Sequence, residues 1–296
     1  MSALLPMDLG GLHGWQVGDR LLKALMAGTE VEEWRQWEQA LGTLPPGALG
    51  DRAVSQLVEE VQALVSAADG HGVSRAPGGV FDVGVNLADG TRIVGSVPLQ
   101  LRAETPGPAR VMFTRGKAHH RVAAWLDLMA LVGTDPTTPW RSVVVARSPD
   151  TSSKVRIDDL VPSAEAGGMR AEAVASLGVA VDCYRRGLTE PLPLFPSFSR
   201  EVYDGKASRA RWSGRGSADG TDEAVRLVFG APDYDEIMGL QARPGDPSGT
   251  GGRVDGFARY LWDAVERSIR EYGTPPADEP AGTTAEPQPG LQGRPA

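Results

Sequence analysis

The sequence predicts an α/β (α+β) protein: a mixed β-sheet flanked by helices, with a helical segment at its N-terminus. Three observations carry that prediction. Apolar residues recur with a helical period from Leu12 to Ala68. β-Branched residues then alternate from Val80 to Phe113, interrupted by Asp89-Gly90, a hairpin dipeptide. A helical stretch next separates this run from Ser142-Val143-Val144-Val145, so the later strand is reached by a helical crossover.

The segment 1–47 reads as two helices. Leu12, Trp15, Leu21, Leu22, Leu25 and Met26 recur at helical spacings, and Val31, Trp34, Trp37 and Leu41 share one face of the second helix. Leu44-Pro45-Pro46-Gly47 ends it, because tandem prolines cannot continue a helix. A third helix over 48–68 carries Val54, Leu57, Val58, Val61, Leu64 and Val65 as one stripe. Strands are expected at 79–87, 92–101 and 109–113, forming a meander. Gly116 opens a helix to Leu131 that buries Val122, Trp125, Leu126 and Met129, and strands follow at 141–146 and 154–160. A long helix over 164–187 ends at Arg185-Arg186-Gly187, the basic last turn and glycine of a helix stop. Prolines hold 191–196 extended. Residues 198–211 are expected to be helical, 214–220 a flexible loop, and 243–252 a Gly/Pro insertion, while 224–229 fits helix or strand. One helix over 254–272 completes a unit spanning 48–272. The tail 273–296, rich in Pro, Gly, Thr and Ala, cannot offset its ordering entropy and is expected to be disordered.

Composition excludes several classes. The chain of 296 residues has 41% apolar and 23% charged residues, enough for a sizeable core and unlike a disordered chain. Its net charge of −8 rules out a wholly basic nucleic-acid coat but not a local basic face. Cys183 is the only cysteine, so no internal disulfide forms; a cytoplasmic location without membrane contact is expected. No apolar run reaches the roughly 20 residues of a membrane span. Gly116-Lys117 and Gly205-Lys206 lack the remainder of a P-loop, so the chain is not expected to hydrolyse ATP. Gly214-Arg215-Gly216-Ser217 does not follow a strand and is no dinucleotide loop. His13 and His71 stand alone, and His119 and His120 point about 100° apart on a helix, so no metal site is expected. Cys183 reads as a buried apolar filler.

The order helix, three strands, helix, strand is that of the restriction-endonuclease-like, or PD-(D/E)xK, nucleases. Such a centre needs carboxylates on the second and third strands to hold Mg²⁺, and a Lys to orient the attacking water. Here the second strand ends Gly95-Ser96-Val97-Pro98, and Met112 and Thr114 stand where the third-strand acid and Lys belong. No catalytic or metal-binding residue is therefore assigned, and Glu59 and Glu60 read as a solvated helix face. The alternative is an active Mg²⁺-dependent nuclease drawing acids from Asp82 or Asp89.

A polyanion partner is suggested by two basic runs. Between Glu104 and Asp127 no acid occurs, while Arg110, Arg115, Lys117 and Arg121 accompany His119 and His120. The second run is Arg200, Lys206, Arg209, Arg211 and Arg215, with Trp212 available to stack a base. The candidate DNA-binding residues are Arg110, Arg115, Lys117, His120, Arg121, Arg209, Arg211 and Trp212.

Five segments resemble the C-terminal region of the RecC family, the gamma subunits of bacterial exodeoxyribonuclease V (RecBCD). They are Trp15-Gln16-Val17-Gly18-Asp19-Arg20-Leu21-Leu22, Leu44-Pro45-Pro46-Gly47-Ala48-Leu49-Gly50, Arg92-Ile93-Val94-Gly95-Ser96-Val97, Val225-Arg226-Leu227-Val228-Phe229-Gly230 and, most specific, Arg186-Gly187-Leu188-Thr189-Glu190-Pro191-Leu192-Pro193-Leu194-Phe195-Pro196. The similarity covers 9–272. It implies a nuclease-like domain that has lost its catalytic residues and serves architecture in double-strand break repair and recombination. It implies RecB-like and RecD-like partner subunits and contact with DNA ends or forks. Mg²⁺ and ATP would be used by the partners, with no cofactor in this chain. In that family scanning for a Chi-like signal belongs mainly to helicase-like N-terminal domains, which this sequence lacks, so a fragment, split product or truncated copy is expected. A protein-interaction domain without DNA contact is the further alternative.

Overall fold

The computed structural model describes residues 11–44, 47–76, 78–102, 104–149, 153–164, 167–214, 218–249 and 251–272. The expected tail and the Pro45-Pro46 stop lie outside them.

The N-terminal helices are α1 (Gly11–Met26), α2 (Val31–Ala40) and α3 (Gly47–Gly70). The α3 stripe packs as expected, whereas α1 and α2 turn part of theirs outward. α1 buries Val17, Leu21, Leu22 and Leu25, but Leu12 and Trp15 are exposed. α2 buries Trp34 and Glu38 while Trp37 and Leu41 face outward. The reason is an ion pair: Arg20 on α1 reaches Glu38 at 2.6 Å, and Thr43 also bonds the carboxylate. Burial alone would raise the Glu38 carboxyl pKa, yet the Arg20 and Thr43 bonds hold it below the usual range.

The sheet differs from the expected continuous meander. β1 (Val80–Asn86) and β2 (Arg92–Pro98) form a separate antiparallel ribbon. β3 (Ala109–Arg115) pairs in parallel with β4 (Ser142–Arg147) across α4 (Ala118–Thr134). β5 (Val155–Pro162) and β6 (Ile269–Glu271) add antiparallel, giving the order β3-β4-β5-β6. The break follows from Pro98, Pro106 and Pro108, which have no N–H for a ladder. The connection between them packs so tightly that a Cβ on Gly107 would meet the Arg141 carbonyl oxygen at 1.7 Å. The class nevertheless holds: a mixed four-stranded sheet and a two-stranded ribbon flanked by helices, an α+β fold.

The remaining helices are α5 (Met169–Gly187), α6 (Phe198–Tyr203), α7 (Arg209–Ser213), α8 (Glu223–Phe229), α9 (Tyr234–Met238) and α10 (Arg253–Ser268). The expected helix over 198–211 is split by Gly205, whose φ of +68° belongs to the left-handed region. Residues 224–229 resolve as helix because Asp222 caps the backbone N–H groups of Ala224 and Val225. α9, closed by an Asp233–Glu236 capping box, was not expected. The last helix is shorter than expected. Trp125 donates its Nε1–H to the Ser268 hydroxyl at 2.7 Å, and Ile269–Glu271 turns extended to become β6 against β5. This edge strand was hidden by its helical apolar spacing.

Three apolar clusters result. α1, α2 and α3 cover one face of the sheet through Phe113, Val143 and Val145, and a Cβ on Gly18 of α1 would overlap the Phe113 ring. α4, α5 and α10 cover the other through Trp125, Leu128, Val144 and Trp262. A third cluster of Phe195, Phe198, Trp212, Ile237 and Val254 organises the short helices. No helix among the described residues is long and apolar enough to cross a membrane.

Candidate polyanion site

The third cluster holds α6 and α7 across from the start of α4. Between them lies a cavity of about 870 Å³. β3 delivers Arg115 to its wall, Gly116 donates its N–H to the Arg147 carbonyl at 2.8 Å, and Lys117 forms the extended N-cap of α4. The opposite wall carries Arg200, Lys206 and Arg211. The two basic runs, remote in sequence, therefore meet at one site. The seven lining cations face six lining carboxylates among the described residues, so the cavity is polar and close to neutral rather than strongly basic.

Most of the cations are already engaged. Arg121 is only 11% exposed and lies 3.3 Å from Asp158, 3.4 Å from Glu266 and 2.6 Å from Glu271. Arg156 holds Asp158 at 3.2 Å. Arg200 pairs with Asp204 and Glu266, Lys206 with Asp204, and Arg211 with Glu201 at 3.3 Å. Asp219 accepts the backbone N–H groups of Ser197 and Phe198, at 2.8 and 2.6 Å. Arg115 and Lys117 have no carboxylate within salt-bridge distance among the described residues.

Several sequence candidates fall elsewhere. Arg110 is spent on Asp127 and does not line the cavity. Arg209 pairs with Asp235 outside it. Trp212 is a correction: it is fully buried, donates Nε1–H to the Pro232 carbonyl at 3.0 Å and packs edge-on to Phe195, leaving no face for a base. Arg215 lies outside the described residues. The His119 and His120 rings are 4.0 Å apart. Burial, then the neighbouring His119, Lys117 and Arg110, pushes His120 down to about 4. It is neutral at pH 7 and adds no cation.

The nuclease positions are equally informative. Met112 is partly buried against the main core. Asp82 is exposed on the ribbon, and Asp89 is held by Thr91 and Arg185 in the hairpin turn, which keep it down at about 2. Glu59 and Glu60 are not merely solvated: they pair with Lys154 and Arg147. No group of three or more His, Cys, Asp or Glu side chains suited to a metal occurs among the described residues. Burial and Asp182 push the Cys183 thiol up to about 11, well away from a thiolate nucleophile.

His71 is a second correction, since it does not stand alone. Its Nδ1–H donates to Asp159 at 2.6 Å, and Arg141 donates to the same carboxylate with Nε at 2.6 Å and with Nη2. These three side chains border another cavity of about 600 Å³. His13 also has a partner, the Thr43 carbonyl. Sequence reasoning passed over the acids that organise both cavities, Asp158, Asp159, Glu266 and Glu271. One signal was present: two adjacent acids within a strand must point to opposite faces, so both sides of the sheet needed a cationic partner.

Comparison with known proteins gives a concordant picture. A family model described as the RecC C-terminal domain matches residues 1–206. The RecBCD enzyme subunit RecC of Mycobacterium tuberculosis (strain H37Rv) is 27% identical over 273 residues, covering 87% of this chain and 23% of that protein. The subunit of the same name from Mycolicibacterium smegmatis is 32% identical over 196 residues, covering 66% of this chain and 17% of its own length. The chain thus spans less than a quarter of the curated relatives it matches. The family match includes the α4 junction and stops before Arg209, Arg211 and Trp212.

Proposed function

The chain belongs to the RecC C-terminal domain family, and from that premise we propose that it is a non-catalytic, architectural part of a RecBCD-type exodeoxyribonuclease V assembly. In this reading it acts in double-strand break repair and homologous recombination in the cytoplasm. It binds RecB-like and RecD-like subunits, which supply the Mg²⁺- and ATP-dependent chemistry, and it touches DNA near the fork. The observation that supports the reading is the cavity at the α4 junction. Two basic runs converge there, while three of the acids that line it are committed to an arginine: Asp158, Glu266 and Glu271 surround Arg121. A hard cation needs several free oxygen ligands, and a guanidinium already occupies these.

Two measurements test the reading. Incubation of the purified chain with Mg²⁺ and linear duplex or single-stranded DNA is expected to leave both intact. Robust cleavage by the chain that survives substitution of Met112 and Thr114 would refute the non-catalytic assignment. Co-expression with a RecB-like subunit is expected to yield a stable complex, and separate elution of the two would refute the architectural role.

A further inference from the structure

The β1–β2 ribbon, separate from the main sheet, keeps one of its edges open. We propose that the outer edge of β2 accepts an extended segment of a partner subunit as a third, antiparallel strand. That segment carries apolar side chains at alternate positions and an acid at its C-terminal end, opposite Arg92. The inference rests on the architectural role of the preceding reading and specifies how a partner is held.

The register fixes which backbone groups are free. Leu87 donates its N–H to the Thr91 carbonyl and Leu99 to the Gly79 carbonyl, both at 2.8 Å, so the odd-numbered residues of the two strands bond each other. The N–H and C=O groups of Arg92, Val94 and Ser96 therefore point away from β1, and no backbone partner meets them among the described residues. The corresponding edge of β1 is covered at its centre, where Gly84 donates its N–H to the Thr134 hydroxyl on α4 at 3.0 Å. An open edge is normally blunted by lysine, proline or a bulge. Ile93-Val94-Gly95-Ser96-Val97 has none of these before Pro98, and Val94 is 65% exposed.

The surroundings of the edge select the occupant. Val97 is buried and Ile93 packs on the main core, so an added strand would continue that apolar face with every second residue. Arg185 ties the last turn of α5 to the start of β2, bonding Asp89 and the Thr91 hydroxyl at 2.6 and 2.5 Å. Tyr184 and Leu188, four residues apart on one face of α5, flank it at 67% and 68% exposure and offer an apolar surface to the added side chains. Arg92 pairs with no carboxylate among the described residues and marks the end where an acid is favoured. A second copy of the chain is the poorer fit. Self-pairing about Val94 would set Arg92 against Ser96 and bring together two chains of net charge −8. Meeting across three outward residues, it would also fall well short of the roughly 1,000 Å² of a stable interface.

The test is residue-resolved hydrogen exchange of the full chain, alone and co-purified with its RecB-like and RecD-like subunits. The amides of Arg92, Val94 and Ser96 are expected to exchange freely in the lone chain and at least about a hundredfold more slowly in the complex. Val94→Pro removes an outward N–H that the ribbon does not use. It should leave thermal unfolding unchanged and weaken the complex at least about tenfold relative to Val94→Ala. Arg92→Glu should weaken it about fivefold. Unchanged exchange of these amides in an intact complex, equal affinity of the two Val94 variants, or an undiminished Arg92→Glu complex would overturn this inference and leave the architectural reading standing. Protection in the lone chain that rises with its concentration would identify a second copy as the occupant and overturn it as well. Failure of the unaltered chain to co-purify with either subunit would overturn both.

Discussion

Asp158 and Asp159 are neighbours on β5, and because successive strand residues face opposite sides, each holds an arginine on its own face of the sheet. The two faces are finished differently. Arg141 bonds Asp159 through two guanidinium nitrogens, stacks on Tyr272 at 4.1 Å, and shares the carboxylate with His71. That is a closed cluster. Arg121 instead spreads over Asp158, Glu266 and Glu271, and its Nε makes no hydrogen bond. Its carboxylates are shared again, Asp158 with Arg156 and Glu266 with Arg200. Glu271 joins the faces, meeting Arg121 with Oε1 and accepting the Asp159 N–H on Oε2 at 3.3 Å. The contrast teaches where function can reside. A carboxylate held by one arginine is structural, whereas the shared network lies beside two cations, Arg115 and Lys117, that pair with no carboxylate among the described residues.

The largest expected effect comes from breaking the closed cluster. Arg141→Leu leaves the buried Asp159 carboxylate with His71 as its remaining side-chain partner and should cost about 3 kcal/mol of stability, read by chemical denaturation. A loss below about 1 kcal/mol would erase the distinction between the faces. Arg121→Leu should cost less, about 2 kcal/mol, because Arg156 and Arg200 still hold Asp158 and Glu266. If it proves the more damaging change, the network is not shared as described.

A pH series sharpens the picture at the α4 end. The His120 pKa is held at about 4 in the folded chain, below the ordinary value near 6.5. The unfolded chain therefore binds the proton first on acidification. Its contribution to stability is present above about pH 6.5 and is lost as pH falls towards 4. Unfolding midpoints should decline over that window, and His120→Asn should flatten the decline; identical profiles would contradict the buried neutral imidazole. The smallest effect is expected from Arg115→Gln with Lys117→Gln, within about 0.5 kcal/mol, since neither side chain pairs with an acid among the described residues. A larger loss would mean that these cations serve the fold.

Local signals carried most of the element order. The Val54-to-Val65 stripe, the Asp89-Gly90 turn and Ser142-Val143-Val144-Val145 each encode their own geometry within a few residues, and each appears where expected. The missed features depend on distant partners. Ile269–Glu271 extends helical apolar spacing and becomes strand because β5 offers a free edge. Trp212 sits among basic residues, as a base-stacking residue would, and is buried because Phe195 and Phe198 close over it. Trp37 and Leu41 belong to an apolar stripe and remain outside because Arg20 draws Glu38 inward.

The sequence by itself determined the α+β class, the kinship with RecC C-terminal domains and the presence of two acid-poor, cationic stretches, because periodicity, motif and composition are local properties of a chain. Only the tertiary structure decided that those stretches share one cavity and which of their cations pair with no acid among the described residues. Electrostatic partnership falls off with distance in space, not along the chain, so it is settled only when Asp158, Glu266 and Glu271 arrive beside Arg121 and stop short of Arg115 and Lys117.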